Sequence, residues 1–202
     1  MGFMTKPEFD QLQVLDKYWK GRWGYFNEVI NVLKNEKFDS VLELGPYKRP
    51  IVDDCDVMDF NPLSRAGFAT KNASDLNKIE EFPKIKYLHD AKKCPWPIPD
   101  KKYDLFIALQ VLEHLGVKQK DVFKEIMRVS NMAILSFPLN WRCFGDCHHL
   151  ITEKKIRDWT LHIRPTKKII VPMYTIKHRI RYFIENMKFP PSRIIYFFKF
   201  YR

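Results

Sequence analysis

The sequence predicts an α/β fold in which helices cover a mostly parallel sheet. Residues 41–44, Val-Leu-Glu-Leu, are a short and largely apolar run that stops at a glycine, as a buried strand does at a tight turn. Residues 103–109 are a near-continuous apolar segment, which is typical of the centre of a parallel sheet. The chain has 202 residues, of which 46% are hydrophobic, and this composition suits one domain with a full core.

Two amphipathic helices are predicted before the first strand. Apolar residues recur close to helical spacing over Pro7–Lys20 and again over Trp23–Leu33. Arg22 lies between these segments, among aromatic residues. Its guanidinium could hold the carboxylate of a bound molecule in a bidentate grip, or it could stack on a tryptophan at the surface.

The first strand, the turn after it and the second strand have the features of a ligand site. Glu43 lies inside the apolar run, and a buried carboxylate is costly unless it is paired or hydrogen-bonded. Asp59 closes the second apolar piece, Val57-Met58, where an acidic residue could hold the two hydroxyls of a ribose. Only about ten residues separate Gly45 from this second strand, so we predict that the first crossover is a loop or a single helical turn.

A third strand is predicted over Ile85–Leu88, after a polar segment in which only Ser74–Phe82 has helical spacing. Asp90 follows this strand and could cap the next turn. Three prolines then exclude a helix before Asp100, and Tyr103–Leu109 is the fourth strand. The residues that follow, Gln-Val-Leu-Glu-His at 110–114, stand at the carboxyl end of that strand, where open α/β sheets bind ligands.

The last part of the chain predicts further helices and strands. They are a helix over Lys118–Val129, a strand over Asn131–Phe137, a helix capped by Thr152, strands over Lys167–Pro172 and Arg193–Lys199, and a basic helix over His178–Lys188.

At these residues, in this order, the chain resembles the class I S-adenosylmethionine-dependent methyltransferases. The first motif of that superfamily is acid-x-Gly-x-Gly, matched here by Glu43-Leu44-Gly45, with Tyr47 at the position of the second glycine. The passage over Cys94–Leu115 resembles its fourth motif, which has a proline-rich turn, a Tyr-Asp-Leu strand and a polar residue followed by Val-Leu-Glu-His. The resemblance implies a Rossmann-like methyltransferase fold, with a seven-stranded, mostly parallel sheet, an antiparallel last strand and, here, a shortened first crossover.

The resemblance also implies S-adenosyl-L-methionine as the cofactor and a set of residues that would bind it. These residues are Glu43, Gly45, Pro46, Asp59, Asp90, Ala91, Gln110 and Arg22. The superfamily's adenine amine is bound after the third strand, which points to Asp90, with backbone contacts from Ala91. The loop after the fifth strand helps to shape the acceptor pocket in the superfamily, which implies acceptor contacts from Asn140, Trp141 and His148.

A histidine at the acceptor pocket could act as the general base on an acceptor hydroxyl, because imidazole titrates near neutral pH. His149 is the first candidate and His114 the second, and the alternative is that either one is a packed or helix-capping residue. Cys143, Cys147 and His148 could instead bind zinc, but the two-plus-two spacing of a structural zinc site is missing, so no metal site is expected.

We expect one domain over residues 1–202. It would comprise N-terminal helices in 1–36, a cofactor-binding core in 37–137, and an acceptor-side and basic C-terminal region in 138–202. Four dispersed cysteines and the lack of a long apolar run predict a reduced, cytoplasmic chain without a transmembrane segment.

The net charge of +11 is concentrated at the end of the chain. Residues 1–150 contain 22 Lys+Arg and 21 Asp+Glu, whereas residues 151–202 contain 13 and 3. A basic segment attracts phosphates, anionic lipid headgroups or acidic polymers, although such charge can also serve solubility. Five cations could bind an anionic acceptor, namely Arg179, Arg181, Lys188, Arg193 and Lys199.

The leading hypothesis is therefore a methyltransferase that O-methylates a small or sugar-like acceptor, including an anionic or membrane-associated glycan precursor. An RNA methyltransferase is the first alternative, which the basic end of the chain permits and which predicts binding that weakens steeply with salt. A non-catalytic binding module with the same fold is the second alternative, and Tyr47 in place of a glycine motivates it.

Overall fold

The computed structural model describes residues 1–15, 17–19, 21–60, 84–142, 150–172 and 191–200. The α-helices in these ranges are α1 (Lys6–Leu15), α2 (Trp23–Leu33), α3 (Gln119–Val129) and α4 (Glu153–Trp159). The strands are β1 (Val41–Leu44), β2 (Asp56–Asp59), β3 (Tyr87–Leu88), β4 (Tyr103–Leu109), β5 (Ser130–Leu139), β6 (Trp141–Arg142), β7 (Leu150–Ile151), β8 (Lys167–Pro172) and β9 (Ser192–Lys199). Short 3₁₀ helices cover Lys17–Trp19 and Leu112–His114.

Seven of these strands form one sheet in the order β3-β2-β1-β4-β5-β9-β8, and β6 pairs with β7 separately. Strands β1 to β5 are mutually parallel, and β9 runs antiparallel to both of its neighbours, β5 and β8. The sequence-based prediction of a seven-stranded, mostly parallel sheet with an antiparallel last strand is therefore confirmed.

Both faces of the sheet are buried, as the apolar strands predicted. Side chains alternate between the faces along a strand, so that Phe106 and Ala108 of β4 join one core and Leu105 and Ile107 join the other. Helix α3 covers the first face through Val122, Phe123, Ile126 and Val129. Helices α1 and α2 cover the second face, and the buried residues of α2 recur at helical spacing.

The N-terminal segment packs on the shortened first crossover. The loop between β1 and β2 contains no helix, which confirms the prediction. Its residue Ile51 is fully buried and accepts a hydrogen bond from the amide of Met4 through its carbonyl, at 3.0 Å. The amide of Asp53 donates to the carbonyl of Gly2, also at 3.0 Å. Residues of the N-terminal segment thus pack on this loop in the place that a crossover helix would otherwise take.

Several predicted boundaries differ from the structure. The first predicted helix, Pro7–Lys20, is instead α1 followed by the 3₁₀ turn, and β3 is two residues shorter at its start than the predicted Ile85–Leu88. Strand β5 extends beyond the predicted Asn131–Phe137 because Ser130 pairs with Tyr103 of β4, and Pro138 and Leu139 pair with β9. The predicted helices over Ser74–Phe82 and His178–Lys188 lie outside the described residues. Among the described helices, none has the length and apolar character needed to cross a membrane.

Candidate functional site

The residues singled out after β1, β2, β3 and β4 lie at one edge of the sheet. The amide of Gly45 donates to the carbonyl of Met58 at 3.0 Å, which joins the ends of β1 and β2. The amide of His89 donates to the carbonyl of Asp59 at 2.9 Å, which joins the ends of β2 and β3. Glu43 is in register with Ile107, so β4 ends beside the first turn. The structure thus brings Gly45, Asp59, Asp90 and Gln110 to the carboxyl ends of four adjacent strands.

The turn after β1 holds two residues in the left-handed region. Gly45 has φ of +64° and Tyr47 has φ of +63°, and a tyrosine in this region costs about 1–2 kcal/mol. The Tyr47 ring is buried, with its centroid 4.6 Å from that of Tyr18 and 6.3 Å from that of Trp19. Its packing against the N-terminal aromatic residues offsets the backbone cost. Pro46 lies between the two residues and is partly buried.

The buried carboxyl of Glu43 fixes the same loop from inside. Its side chain is 2% exposed, and Oε2 accepts a hydrogen bond from the amide of Ile51 at 2.9 Å. Burial raises the pKa of Glu43 to about 8, although this hydrogen bond and the charge of Arg49 oppose the rise. At neutral pH the Glu43 carboxyl is therefore largely protonated, and its role is to hold the loop.

Asp59 and Asp90 differ in their surroundings. Asp59 is 7% exposed at the end of β2, and its Oδ1 accepts a hydrogen bond from the amide of Phe60 at 2.7 Å. Asp90 is partly exposed, and its Oδ1 accepts from the amide of Lys92 at 3.0 Å, so it caps the turn after β3 as the alternative interpretation predicted. The buried Ala91 uses its carbonyl to accept from Trp96 Nε1 at 2.9 Å.

Gln110 lies in a strained conformation at the end of β4. Its φ is +61°, its amide donates to the carbonyl of Ser136 at 3.1 Å, and its Nε2 donates to Ser136 Oγ at 3.3 Å. Asn140, after β5, also has a positive φ, of +58°. Together with Tyr47, these residues place backbone strain after three neighbouring strands of the sheet. Such strain persists only where the surrounding structure over-determines it, and it is common at functional sites.

Arg22 lies immediately before α2 and stacks on a tyrosine. Its guanidinium carbon lies 3.9 Å from the centroid of the Tyr18 ring, and its Nε donates to the Tyr18 carbonyl at 2.5 Å. The alternative that predicted stacking on a tryptophan named the wrong ring, because the chain turns back at the 3₁₀ helix and places Tyr18 beneath Arg22. Since Tyr18 also packs on Tyr47, Arg22 is connected to the turn after β1.

The predicted catalytic and acceptor-side residues are only partly within the described chain. The His114 side chain is 59% exposed, and its Nε2 lies 4.0 Å from Oε1 of the buried Glu113. The Asn140 amide donates to the carbonyl of Ile151 at 2.9 Å, and Trp141 begins β6. His148 and His149, with the alternative zinc ligands Cys143 and Cys147, lie outside the described residues.

Two buried residues of this edge received no role from the sequence. Glu113 is 2% exposed, and burial raises its pKa to about 8, although Arg22 and Arg193 oppose the rise. Tyr25 is 1% exposed, and its ring lies 4.9 Å from the guanidinium carbon of Arg193. The available signals were an acidic residue within Val-Leu-Glu-His and an apolar position of the second predicted helix. Neither pattern shows by itself that these side chains meet.

No protein-family model matches the sequence, and no curated protein matches it. Among solved structures, the N-methyltransferase NodS from Bradyrhizobium japonicum WM9 is similar with a TM-score of 0.57 and 10% identity, over 89% of this chain and 96% of NodS. The methyltransferase domain of bacterial CtHen1 is similar with a TM-score of 0.51 and 16% identity, over 86% of this chain and 97% of that domain. The [4+2]-cyclase SpnF has a TM-score of 0.52 and 12% identity, over 85% and 79% of the two chains. At these identities the likeness concerns the fold.

Proposed function

We propose that this chain, which has the fold of the class I S-adenosylmethionine-dependent methyltransferases, is itself a methyltransferase that uses S-adenosylmethionine. The observation that carries the proposal is the arrangement of Gly45, Asp59, Asp90 and Gln110 after four adjacent strands at one sheet edge. Ligands of open α/β sheets bind at this edge.

The chemistry of the residues at this edge fits the cofactor. The carboxylate of Asp59 is suited to accept hydrogen bonds from ribose hydroxyls, and the guanidinium of Arg22 is suited to the methionine carboxylate. The turn at Gly45 allows close approach of the backbone. Tyr47 does not contradict this fit, because its ring packs against Tyr18 and Trp19 of the N-terminal segment.

When bound, the cofactor would supply an electrophilic methyl group on its sulfonium. The contribution of the chain would be to align the acceptor atom with that methyl group, and such positioning can supply much of the rate. Asn140, Trp141 and His148 are the proposed acceptor-side contacts, and Gln110 at the end of β4 remains a proposed cofactor contact. Hydrogen bonds from Gln110 to Ser136 and from the Asn140 amide to the Ile151 carbonyl hold these two residues at fixed positions.

We propose a hydroxyl group on a small or sugar-like molecule as the acceptor, with His149 as the general base that removes its proton. A positioned base contributes about 10²–10⁴-fold to the rate. The His149→Ala variant should therefore lose at least a hundredfold in kcat. His162→Asn is the matched control, because the His162 side chain is 72% exposed beyond α4 and has no proposed catalytic role, so its replacement should change kcat by less than about threefold. A hundredfold loss in His114→Ala instead would assign the base to the second candidate, His114. Full activity of His149→Ala would remove the proposed base.

Calorimetry with S-adenosylmethionine tests the cofactor assignment. We expect micromolar binding to the wild type and at least tenfold weaker binding to Asp59→Ala, since a hydrogen bond to a charged group contributes about 1.5–3 kcal/mol. Asp54→Asn, in the exposed part of the loop before β2, should bind as the wild type does. Absence of binding at millimolar cofactor would contradict the proposal.

A non-catalytic or differently catalytic protein is the second candidate, and the departure from the first motif at Tyr47 motivates it. The fold alone does not fix the reaction, and one structural neighbour is a [4+2]-cyclase. This candidate predicts either no cofactor binding or cofactor binding without methyl transfer to any hydroxyl acceptor.

A further inference from the structure

A buried arginine lies at the carboxyl edge of the sheet, on the acceptor side. Arg193 is the second residue of β9 and is in register with Pro138, near the end of β5. It is 7% exposed, and its guanidinium carbon lies 4.9 Å from the centroid of the Tyr25 ring. Its Nε is buried and has no hydrogen-bond acceptor among the residues that the structure describes.

A second guanidinium lies near this arginine. Burial lowers the pKa of Arg193, and the charge of Arg22 lowers it further, which places the two cations in one electrostatic environment. Arg22 is held by Tyr18, through ring stacking at 3.9 Å and a hydrogen bond to the Tyr18 carbonyl. Because guanidinium groups remain protonated in proteins, the two like charges repel each other.

The carboxyl group of this cluster does not neutralise the two cations at neutral pH. Burial raises the pKa of Glu113 to about 8, so that this group is largely protonated at pH 7. The hydroxyl of Tyr25 is likewise neutral, because burial raises its pKa far above neutral pH. The cluster of Arg22, Arg193, Tyr25 and Glu113 therefore carries net positive charge, and Arg193 is its buried cation. A buried charge is costly unless an opposite charge compensates it.

We propose that the acceptor carries an anionic oxygen group, a phosphate or a carboxylate, which Arg193 binds at this cluster. The proposal rests on the proposed methyl transfer and names the class of its substrate. The bound anion would supply the charge and the hydrogen-bond acceptors that the buried guanidinium lacks. Arg193 is thereby a specificity-determining residue for the acceptor.

The position of Arg193 in the sheet favours the acceptor over the cofactor as the source of this anion. Four inter-strand steps separate β2, which ends in Asp59, from β9, and at about 4.8 Å per step this is about 19 Å. Between its ribose and its carboxylate, S-adenosylmethionine has a chain of six bonds of about 1.5 Å each, which spans only about 8 Å. Arg22 is closer to the first turn through Tyr18 and Tyr47, and it remains assigned to the cofactor.

The test uses inorganic phosphate and acetate as probes, measured by the rise in the thermal unfolding midpoint and by calorimetry. The variants are Arg193→Met and Arg193→Lys, and Arg164→Gln is the control because it removes an exposed arginine. In buffer without added anions, Arg193→Met should unfold at the same temperature as the wild type or higher, because it removes an uncompensated buried charge. This result also shows that the variant folds.

We expect the wild type to bind at least one probe, Arg193→Met to bind it at least tenfold more weakly, and Arg164→Gln to bind it as the wild type does. Arg193→Lys should bind with intermediate affinity, because it keeps the charge but not the planar donor pair. A stronger response to phosphate than to acetate assigns a phosphorylated acceptor, and the reverse assigns a carboxylate. Equal probe binding by the wild type and Arg193→Met would overturn the proposal.

A parallel titration with S-adenosylmethionine separates this inference from the proposed function. Arg193→Met should bind the cofactor with the affinity of the wild type. A tenfold loss of cofactor affinity in Arg193→Met would overturn the assignment to the acceptor, because Arg193 would then bind the cofactor's carboxylate. Absence of cofactor binding to the wild type would instead contradict the proposed function. The phosphate and acetate titrations would then still test whether Arg193 binds an anion.

Discussion

Replacement of Glu43 by glutamine should make the stability of the protein less dependent on pH. The Glu43 carboxyl is buried at the start of the cofactor edge and is held only in part by the Ile51 amide, and burial raises its pKa from 4.5 to about 8. A carboxyl with a raised pKa in the folded state contributes its full stability below pH 4.5. This contribution decreases as the pH rises toward 8, because the unfolded chain releases the proton first.

The magnitude follows from the two pKa values. Complete loss of the contribution corresponds to on the order of 5 kcal/mol, of which about 2–3 kcal/mol falls between pH 5 and pH 7. The glutamine of Glu43→Gln can still accept the hydrogen bond from Ile51 but has no proton to lose. Relative to the wild type, the variant should therefore gain about 2–3 kcal/mol in the free energy of unfolding between pH 5 and pH 7.

Urea denaturation followed by tryptophan fluorescence at several pH values measures this difference. Glu125→Gln is the matched control, because the hydrogen bond from Arg128 holds the pKa of Glu125 below its ordinary value. Glu125 is thus ionised in both states between pH 5 and pH 7, and the control should differ from the wild type by a constant amount. If the difference between Glu43→Gln and the wild type also stays constant, within about 0.5 kcal/mol, Glu43 is not protonated in the folded protein.

Two further predictions concern residues that hold the sheet and its turns. Tyr47→Gly should lower the free energy of unfolding by about 2–4 kcal/mol, because lost aromatic burial exceeds the backbone strain that glycine relieves, and urea denaturation measures this loss. Its cofactor affinity by calorimetry should match the wild type, and a tenfold gain would mean that the tyrosine ring obstructs the cofactor site. Asp104→Asn should cost about 1 kcal/mol at pH 7, because Oδ2 accepts from the amides of Asp39 and Ser40 and from Ser40 Oγ. Burial raises the pKa of Asp104, but these hydrogen bonds outweigh burial and keep the pKa below its ordinary value of 3.8. The cost of Asp104→Asn should therefore decrease as the pH falls below 3.8, because the unfolded chain binds its proton first. An unchanged cost at about pH 2.5 would contradict the assignment.

Much of the sheet could be predicted because most of its strands have a local sequence signal. The apolar run of β4 and the apolar starts of β1 and β2 identify buried parallel strands, and the roughly ten residues after Gly45 are too few for a crossover helix. The edge strand β3 was predicted too long, since an edge strand with few apolar residues has no pattern that fixes where pairing starts.

The candidate site could be predicted only in part. The sequence indicates where the strands end, but it does not indicate which side chains contact each other in the folded protein. The placement of Gly45, Asp59 and Gln110 follows from the order of the parallel strands. The contact between the Arg193 guanidinium and the Tyr25 ring depends on the antiparallel register of β9 and on the angle at which α2 packs on the sheet. Long-range packing determines both of these features, and no local motif reports them.

The most direct test of the central claim is an experimental structure of the wild-type protein with S-adenosylhomocysteine. We predict that the nucleoside lies at the carboxyl ends of β1, β2 and β4, with a ribose hydroxyl within 3.2 Å of an Asp59 carboxylate oxygen. Binding of the ligand at any other edge of the sheet, or a hollow at Gly45 and Asp59 that stays empty at saturating ligand, would contradict the account.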